Sequence, residues 1–303
     1  MRVFALTLLA VAALTQQPAQ DVPAPLGDNV RDLLKGVQTL GLASSTNLIT
    51  VYYPQEHEAK ALRLRALVEQ AMAFYDRSLD VRGELHLAVL PRPQWEKLVT
   101  WQPYGIPGVA GEPPVAFLPA TDDGLAATDA IAIRGGVSPE TVRLIEATGR
   151  SYDEASRRYV DLVGLHELGH TYTQRFGIRV PSRWAGEMLA TYFAYAFLRE
   201  HDPGQAEVWD GILRGYRDAV RPTHTTLADF DRLYFGVGAQ NYIWYQARFQ
   251  QMVRAAYEAQ GLDFLRAVRA AFPEGEAAVS PEETLRRFVA IFPGFEEWAK
   301  TLR

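Results

Sequence analysis

His166-Glu167-Leu168-Gly169-His170 is an H-E-x-x-H stretch, and the rest of the chain is best read outward from it. On a helix, histidines four residues apart project from one face, close enough to hold a single metal ion. The glutamate beside the first histidine is then placed to act on a metal-bound water. A catalytic zinc takes three protein ligands and keeps a fourth position open, so a third ligand must lie elsewhere.

Its place can be narrowed. A third histidine six residues after the second is excluded, because Phe176 stands there, with Thr173 where the midway glycine would be. The chain has no cysteine, which removes every thiolate ligand and nucleophile. What remains is a glutamate on the following helix, and Glu187 fits. It follows His170 across a turn at 177–182. Its neighbours, from Trp184 through Met188, Leu189 and Ala190 to Tyr192 and Phe193, are largely apolar and aromatic. A carboxylate inside such a run is costly unless paired or metal-bound. The ordinary alternative is a glutamate on the polar side of its helix, facing solvent.

The periodicity places these residues in a larger plan. Residues 48–53 are rich in β-branched and aromatic side chains and end at Pro54, which predicts a strand. Leu64, Leu67, Ala71 and Phe74 recur at helical spacing and predict a helix over 56–79. Residues 85–90 predict a second strand, and 95–99 a short helix. The Gly/Pro-rich segment 101–136 contains apolar runs at 115–118 and 130–133, read as two strands joined by a loop. From Pro139 onward the pattern is helical. Asp153 is the expected cap of the motif helix, Gly177 its stop, and further helices are expected at 181–200, 204–220, 241–259, 263–271 and 281–291. The fold class is therefore α+β: a lobe at 46–178 with a mixed sheet, ending in the motif helix, then an all-helical lobe at 179–303. A cleft between two such lobes is a usual place for a small-molecule or peptide site.

The N-terminus reads as an export signal over 1–19. Arg2 precedes an almost unbroken apolar run at 3–14, too short to span a bilayer, with Ala13 and Ala19 as alternative cleavage points. A tail over 20–45 follows, with a short helix expected within 29–42. These features predict a periplasmic, cell-envelope or extracellular protein without stable membrane insertion. A formal net charge of −5 and the lack of a basic cluster argue against nucleic acid as a partner.

H-E-x-x-H followed by a glutamate within W-x-x-E-x-x-A-T-Y-F resembles the gluzincin zinc metallopeptidases, most closely in layout the bacterial proteins with a peptidase MA-like domain. The resemblance is most specific over 159–197. It implies a zincin-like two-lobe fold with one zinc ion per chain in the cleft, held by His166, His170 and Glu187. It implies a peptide or protein substrate, with Glu167 as the base that activates water. By likeness to the zinc aminopeptidases it also implies a tyrosine that stabilises the oxyanion. Tyr245 is the expected residue, with Tyr242 one turn earlier and His224 as alternatives.

Two departures qualify the resemblance. Thr191 stands where thermolysin-like enzymes carry an aspartate that orients a histidine; a hydroxyl can still accept that N–H. Glu112, in Gly108-Val109-Ala110-Gly111-Glu112, does not complete the G-x-M-E-N loop by which aminopeptidases recognise a free N-terminus. A zincin-fold binding module without turnover, or a zinc hydrolase of a non-peptide substrate, are the competing expectations. An intact Glu167 disfavours the first. The histidines at 57, 86 and 201 read as structural or solvated.

Overall fold

The computed structural model describes residues 28–277 and 279–302. The expected signal segment 1–19 and the start of the tail lie outside the described residues. Helices α1 (Asp28–Arg31) and α2 (Leu33–Gln38) occupy the region of the expected short helix. Strands β1 (Ala43–Thr46) and β2 (Thr50–Tyr53) form a hairpin, and α3 (Glu58–Leu79) and β3 (His86–Leu90) follow. Next come α4 (Arg92–Leu98), β4 (Gly108–Ala110), β5 (Val115–Pro119), α5 (Leu125–Ala132) and α6 (Pro139–Glu146). The motif helix is α7 (Tyr152–Arg175), and α8 (Arg183–His201) carries Glu187. Helices α9 (Pro203–Ala219), α10 (Leu227–Leu233), α11 (Ala239–Gln260), α12 (Asp263–Ala271), α13 (Pro281–Ile291) and α14 (Gly294–Lys300) complete the chain.

The sheet is mixed, in the order β1-β2-β3-β5-β4. The β2–β3 and β3–β5 pairs are parallel; the edge pairs β1–β2 and β4–β5 are antiparallel. Side chains alternate across it, as the pleat requires. Val51, Leu87, Val89, Ala116 and Leu118 face α3 and α7, in a core that continues through the helical half as far as Leu302. Ala88, Leu90, Val115 and Phe117 face the other way, onto Leu33 and Val37 of α2 and Trp95 of α4. The architecture is α+β, as expected, with a largely helical C-terminal part. No helix among the described residues is long and apolar enough to cross a membrane.

Three local expectations are corrected. The run 130–133 is not a strand: 125–132 is helical, because Leu-Ala-Ala-Thr-Asp-Ala-Ile-Ala is a good helix former, and Ala127 and Ala130 bury its inner face. The cap of α7 is Ser151 rather than Asp153. Its hydroxyl accepts the Glu154 N–H while the Glu154 carboxylate accepts the Ser151 N–H at 2.8 Å, a reciprocal capping box. The two edge strands were not expected. Ala43–Thr46 is polar and half exposed, and Gly108–Ala110 is three residues long among glycines and prolines, so neither carries a period to read.

Helix α7 is the centre of the molecule. Leu162, Leu165 and Leu168 are fully buried, each contributing about 1.5–3 kcal/mol. The Tyr172 hydroxyl donates to Asp76 Oδ1 at 2.6 Å and ties α7 to α3. Gly177, at φ 77°, ends the segment in the left-handed conformation that suits glycine.

Helices α7 and α8 touch backbone to backbone at Gly169. A Cβ there would lie 2.5 Å from the Ala190 carbonyl oxygen and 2.8 Å from its Cα. Neither atom belongs to a flexible side chain, so the helices themselves would have to part. Gly169→Ala is therefore expected to destabilise the chain by about 1–3 kcal/mol, despite the roughly 1 kcal/mol that alanine gains in a helix. Urea unfolding checks this; a variant as stable as the parent would refute the close-contact argument.

Candidate metal centre

Helix α7 presents His166 and His170 from one face, and the crossing at Gly169 brings α8 close enough for Glu187 to meet them. The two Nε2 atoms lie 3.2 Å apart, on rings at 88° to one another. Glu187 Oε2 is 3.2 Å from His166 Nε2, and Oε1 is 3.8 Å from His170 Nε2. One ligand atom from each of the three residues lies within 4.8 Å of the other two. Three atoms held about 2.0–2.1 Å from a common centre in tetrahedral geometry stand about 3.3 Å apart. The spacing thus fits a metal ion, and the buried His166–His170–Glu187 group could hold one. Glu187 is 4 % exposed, whereas the side chain of His170 is 28 % exposed, so the group opens on the His170 side.

The electrostatics favour the same use. Burial opposes ionisation of Glu187, but His170, His166 and the Tyr234 hydroxyl outweigh it and hold the carboxyl well below the usual range. Burial, reinforced by His166 and opposed by Glu187, pushes His170 down to about 4. An ionised carboxylate and a neutral imidazole are the forms that ligate. For His166, burial also disfavours the charge, but the Glu187 hydrogen bond and the two nearby glutamates win and raise it. An ion arriving there displaces a proton.

Glu167 is buried beside the ligands. Burial is the main cause of a carboxyl pushed up to about 8; His166 opposes it, Glu187 adds to it, and a hydrogen bond from the Val109 backbone opposes it. Val109 lies on β4, the outer strand of the sheet, so Glu167 links the motif helix to the sheet edge.

Glu187 is held from three further sides. Tyr234 donates to Oε1 at 2.5 Å, and Tyr242 and Gln246 both donate to Oε2 at 2.9 Å. Asp231 accepts the Trp184 N–H at 3.0 Å and so caps the helix that carries Glu187. Tyr234 sits at φ 50°, ψ −114°, a conformation that costs a non-glycine residue about 1–3 kcal/mol. Its hydroxyl nevertheless reaches the carboxylate, and the Arg183 guanidinium lies 4.9 Å from its ring centre.

Tyr245 is not brought to this group. Its hydroxyl donates to the Thr226 carbonyl at 2.8 Å, and its ring packs on Phe230. Tyr242, one turn earlier, points at Glu187 instead. His224 is also apart from the group, its backbone bonded on both sides to Asn241 and its ring 3.9 Å from Asp229. His201 packs against Phe74 and Phe197. Burial lowers His86, which lies in β3. Glu112 is exposed at the turn between β4 and β5.

Thr191 lies beside the first histidine of the motif, its Oγ1 3.1 Å from His166 Nδ1. Tyr234 and Gln246 were missed in the sequence. Gln246 had a faint signal, since it lies four residues after Tyr242 and shares its face. Tyr234 had none, because it follows a short helix in a 3₁₀ turn with no period.

Tyr245→Phe is expected to cost about 1 kcal/mol, the value of one buried hydrogen bond, and to leave metal binding unchanged. Thermal unfolding with and without zinc checks both; a loss of metal affinity would return Tyr245 to the site. Compared with protein-family models, curated proteins and solved structures, the chain has no match.

Proposed function

We propose that the chain is an exported, zinc-dependent metallopeptidase of the gluzincin type. The observation that carries this reading is the convergence of His166, His170 and Glu187 on one point, with the buried carboxyl of Glu167 beside it. A bound zinc ion would bring the pKa of a water in its open position to about 7, polarise a substrate carbonyl and favour the charged form of Glu167.

The chain's own residues supply the rest. Glu167 takes the proton of the attacking water and returns it to the leaving amine, a task suited to a carboxyl poised near neutrality. Its bond from Val109 keeps it in place while it cycles. Glu187 stays ionised throughout, surrounded by donors. Tyr234 and Tyr242 are kept as neutral phenols, chiefly by burial and then by Glu187, so each keeps a proton to give to the carboxylate. Tyr242, the alternative expected for the oxyanion, already gives its one proton to Glu187, so it would serve a substrate oxygen only by releasing that bond.

The test is direct. The purified chain should carry one zinc per molecule and cleave denatured casein, and a chelator should abolish cleavage until zinc is restored. Bound zinc without cleavage of casein or of a mixed peptide library would reject the peptidase reading.

A further inference from the structure

We infer that Gln246 is a positioning residue of the metal centre, acting through Thr191 to hold the Nδ1 proton of His166 and leave Nε2 to the ion. The inference rests on His166, His170 and Glu187 being metal ligands. It starts from the one group in the chain of contacts that has no choice. An ionised carboxylate only accepts hydrogen bonds, so the atom of Gln246 that lies 2.9 Å from Glu187 Oε2 must be its amide nitrogen. The two ends of the amide are then distinct, and its oxygen is the end that faces Thr191 Oγ1, at 3.4 Å.

A hydroxyl has one proton to give. Thr191 gives it to Gln246 Oε1, and its lone pairs are left toward His166 Nδ1 at 3.1 Å. An acceptor at that position requires the proton on Nδ1. His166 Nε2 is then the nitrogen a metal ion would take, displacing the proton it shares with Glu187, and it is the atom that faces Glu187 and His170. The contacts close a ring: Glu187, Gln246, Thr191, His166 and Glu187 again. Thr191 is 1 % exposed and Gln246 6 % exposed, so little solvent competes for these bonds.

The placement follows from two helices. Thr191 lies one turn beyond Glu187 on α8, and Gln246 one turn beyond Tyr242 on α11, so each helix contributes to the ring from one face. Metal-binding histidines are commonly oriented by a carboxylate, a backbone carbonyl or a water. Here a hydroxyl and a primary amide take that part, and they bring no negative charge. The centre's only anionic ligand is Glu187, so the positive charge of a bound dication is left less neutralised than a carboxylate partner would leave it.

The experiment has two readouts on the full chain. The first is ¹H–¹⁵N NMR of the zinc-loaded protein, in which Nε2 is taken and the Nδ1 proton of His166 is followed by its exchange with solvent. Wild type and Thr191→Ser should show a hydrogen-bonded, slowly exchanging Nδ1 proton; Thr191→Val, which keeps the shape and loses the hydroxyl, should show it exchanging faster. The second is zinc affinity by competition with a chromophoric chelator. Thr191→Val and Gln246→Leu should each weaken it by about 10- to 100-fold, and Thr191→Ser should restore it. The double variant should be little worse than Gln246→Leu, because both act on one relay. A Thr191→Val chain whose Nδ1 proton is as protected as in wild type, or that binds zinc as wild type does, would overturn the inference. Wild type that binds no zinc would overturn the metal reading and the inference with it, whereas zinc bound alike by wild type and Thr191→Val would overturn the inference alone.

Discussion

Glu167→Gln is expected to lower kcat/KM for peptide hydrolysis by about 10²- to 10⁴-fold while the chain keeps its zinc. The amide has nearly the shape of the carboxyl, so the buried site need not repack. It cannot take up a proton from water at neutral pH, which removes the one basic function the site places beside the ligands. Glu167 is not one of the three residues whose donor atoms converge, so the ion should stay. Metal content and initial rates, measured on the same preparation, separate the two effects. A variant with full activity would show that Glu167 is not the base.

The second large effect belongs to Glu187, and two substitutions divide it. Glu187→Ala strips a buried anion from Tyr234, Tyr242 and Gln246 and leaves their donors facing a void. It should cost about 3–5 kcal/mol of stability, the range for removing one partner of a buried charged pair. Glu187→Gln keeps most of the volume and some of the bonds, so it should unfold much closer to wild type. Both should lose zinc, because neither retains the anionic ligand. Urea unfolding with zinc titration reads both quantities, and zinc bound tightly to Glu187→Gln would remove Glu187 from the ligand set. The sign with pH follows from its depressed carboxyl. The stability it contributes to the metal-free chain is present above the unfolded value of about 4.3 and is lost as pH falls toward the folded value.

The elements that were legible in the sequence share a property. Helices α3, α7, α8, α11, α12 and α13 are long or strongly periodic, β2 is a run of β-branched and aromatic residues, and β3 and β5 are short, largely apolar runs bounded by proline. Their signal lies within one segment, because burial of one face writes a period into it. The edge strands β1 and β4 are short and half exposed, so their partners alone define them. The same division runs through the site. His166 and His170 share a face by helical geometry, whatever else the chain does. Glu187 was legible because a carboxylate in an apolar run needs a partner.

By itself the sequence determined the α+β class, the motif helix and the identity of the three residues that could hold a metal. Only the tertiary structure decided that they meet, since that depends on two helix backbones touching at Gly169 and Ala190. It also decided which tyrosines face Glu187. Tyr242 and Tyr245 differ by three residues on α11, nearly the same side, and the rotation of that helix against α8 and α10 sends one hydroxyl to Glu187 and the other to Thr226. Tyr234, Thr191 and Gln246 join the site from three separate helical segments. Hydrogen bonds of that kind are set by distances of a few tenths of an ångström between packed elements, and no local pattern of residues encodes them.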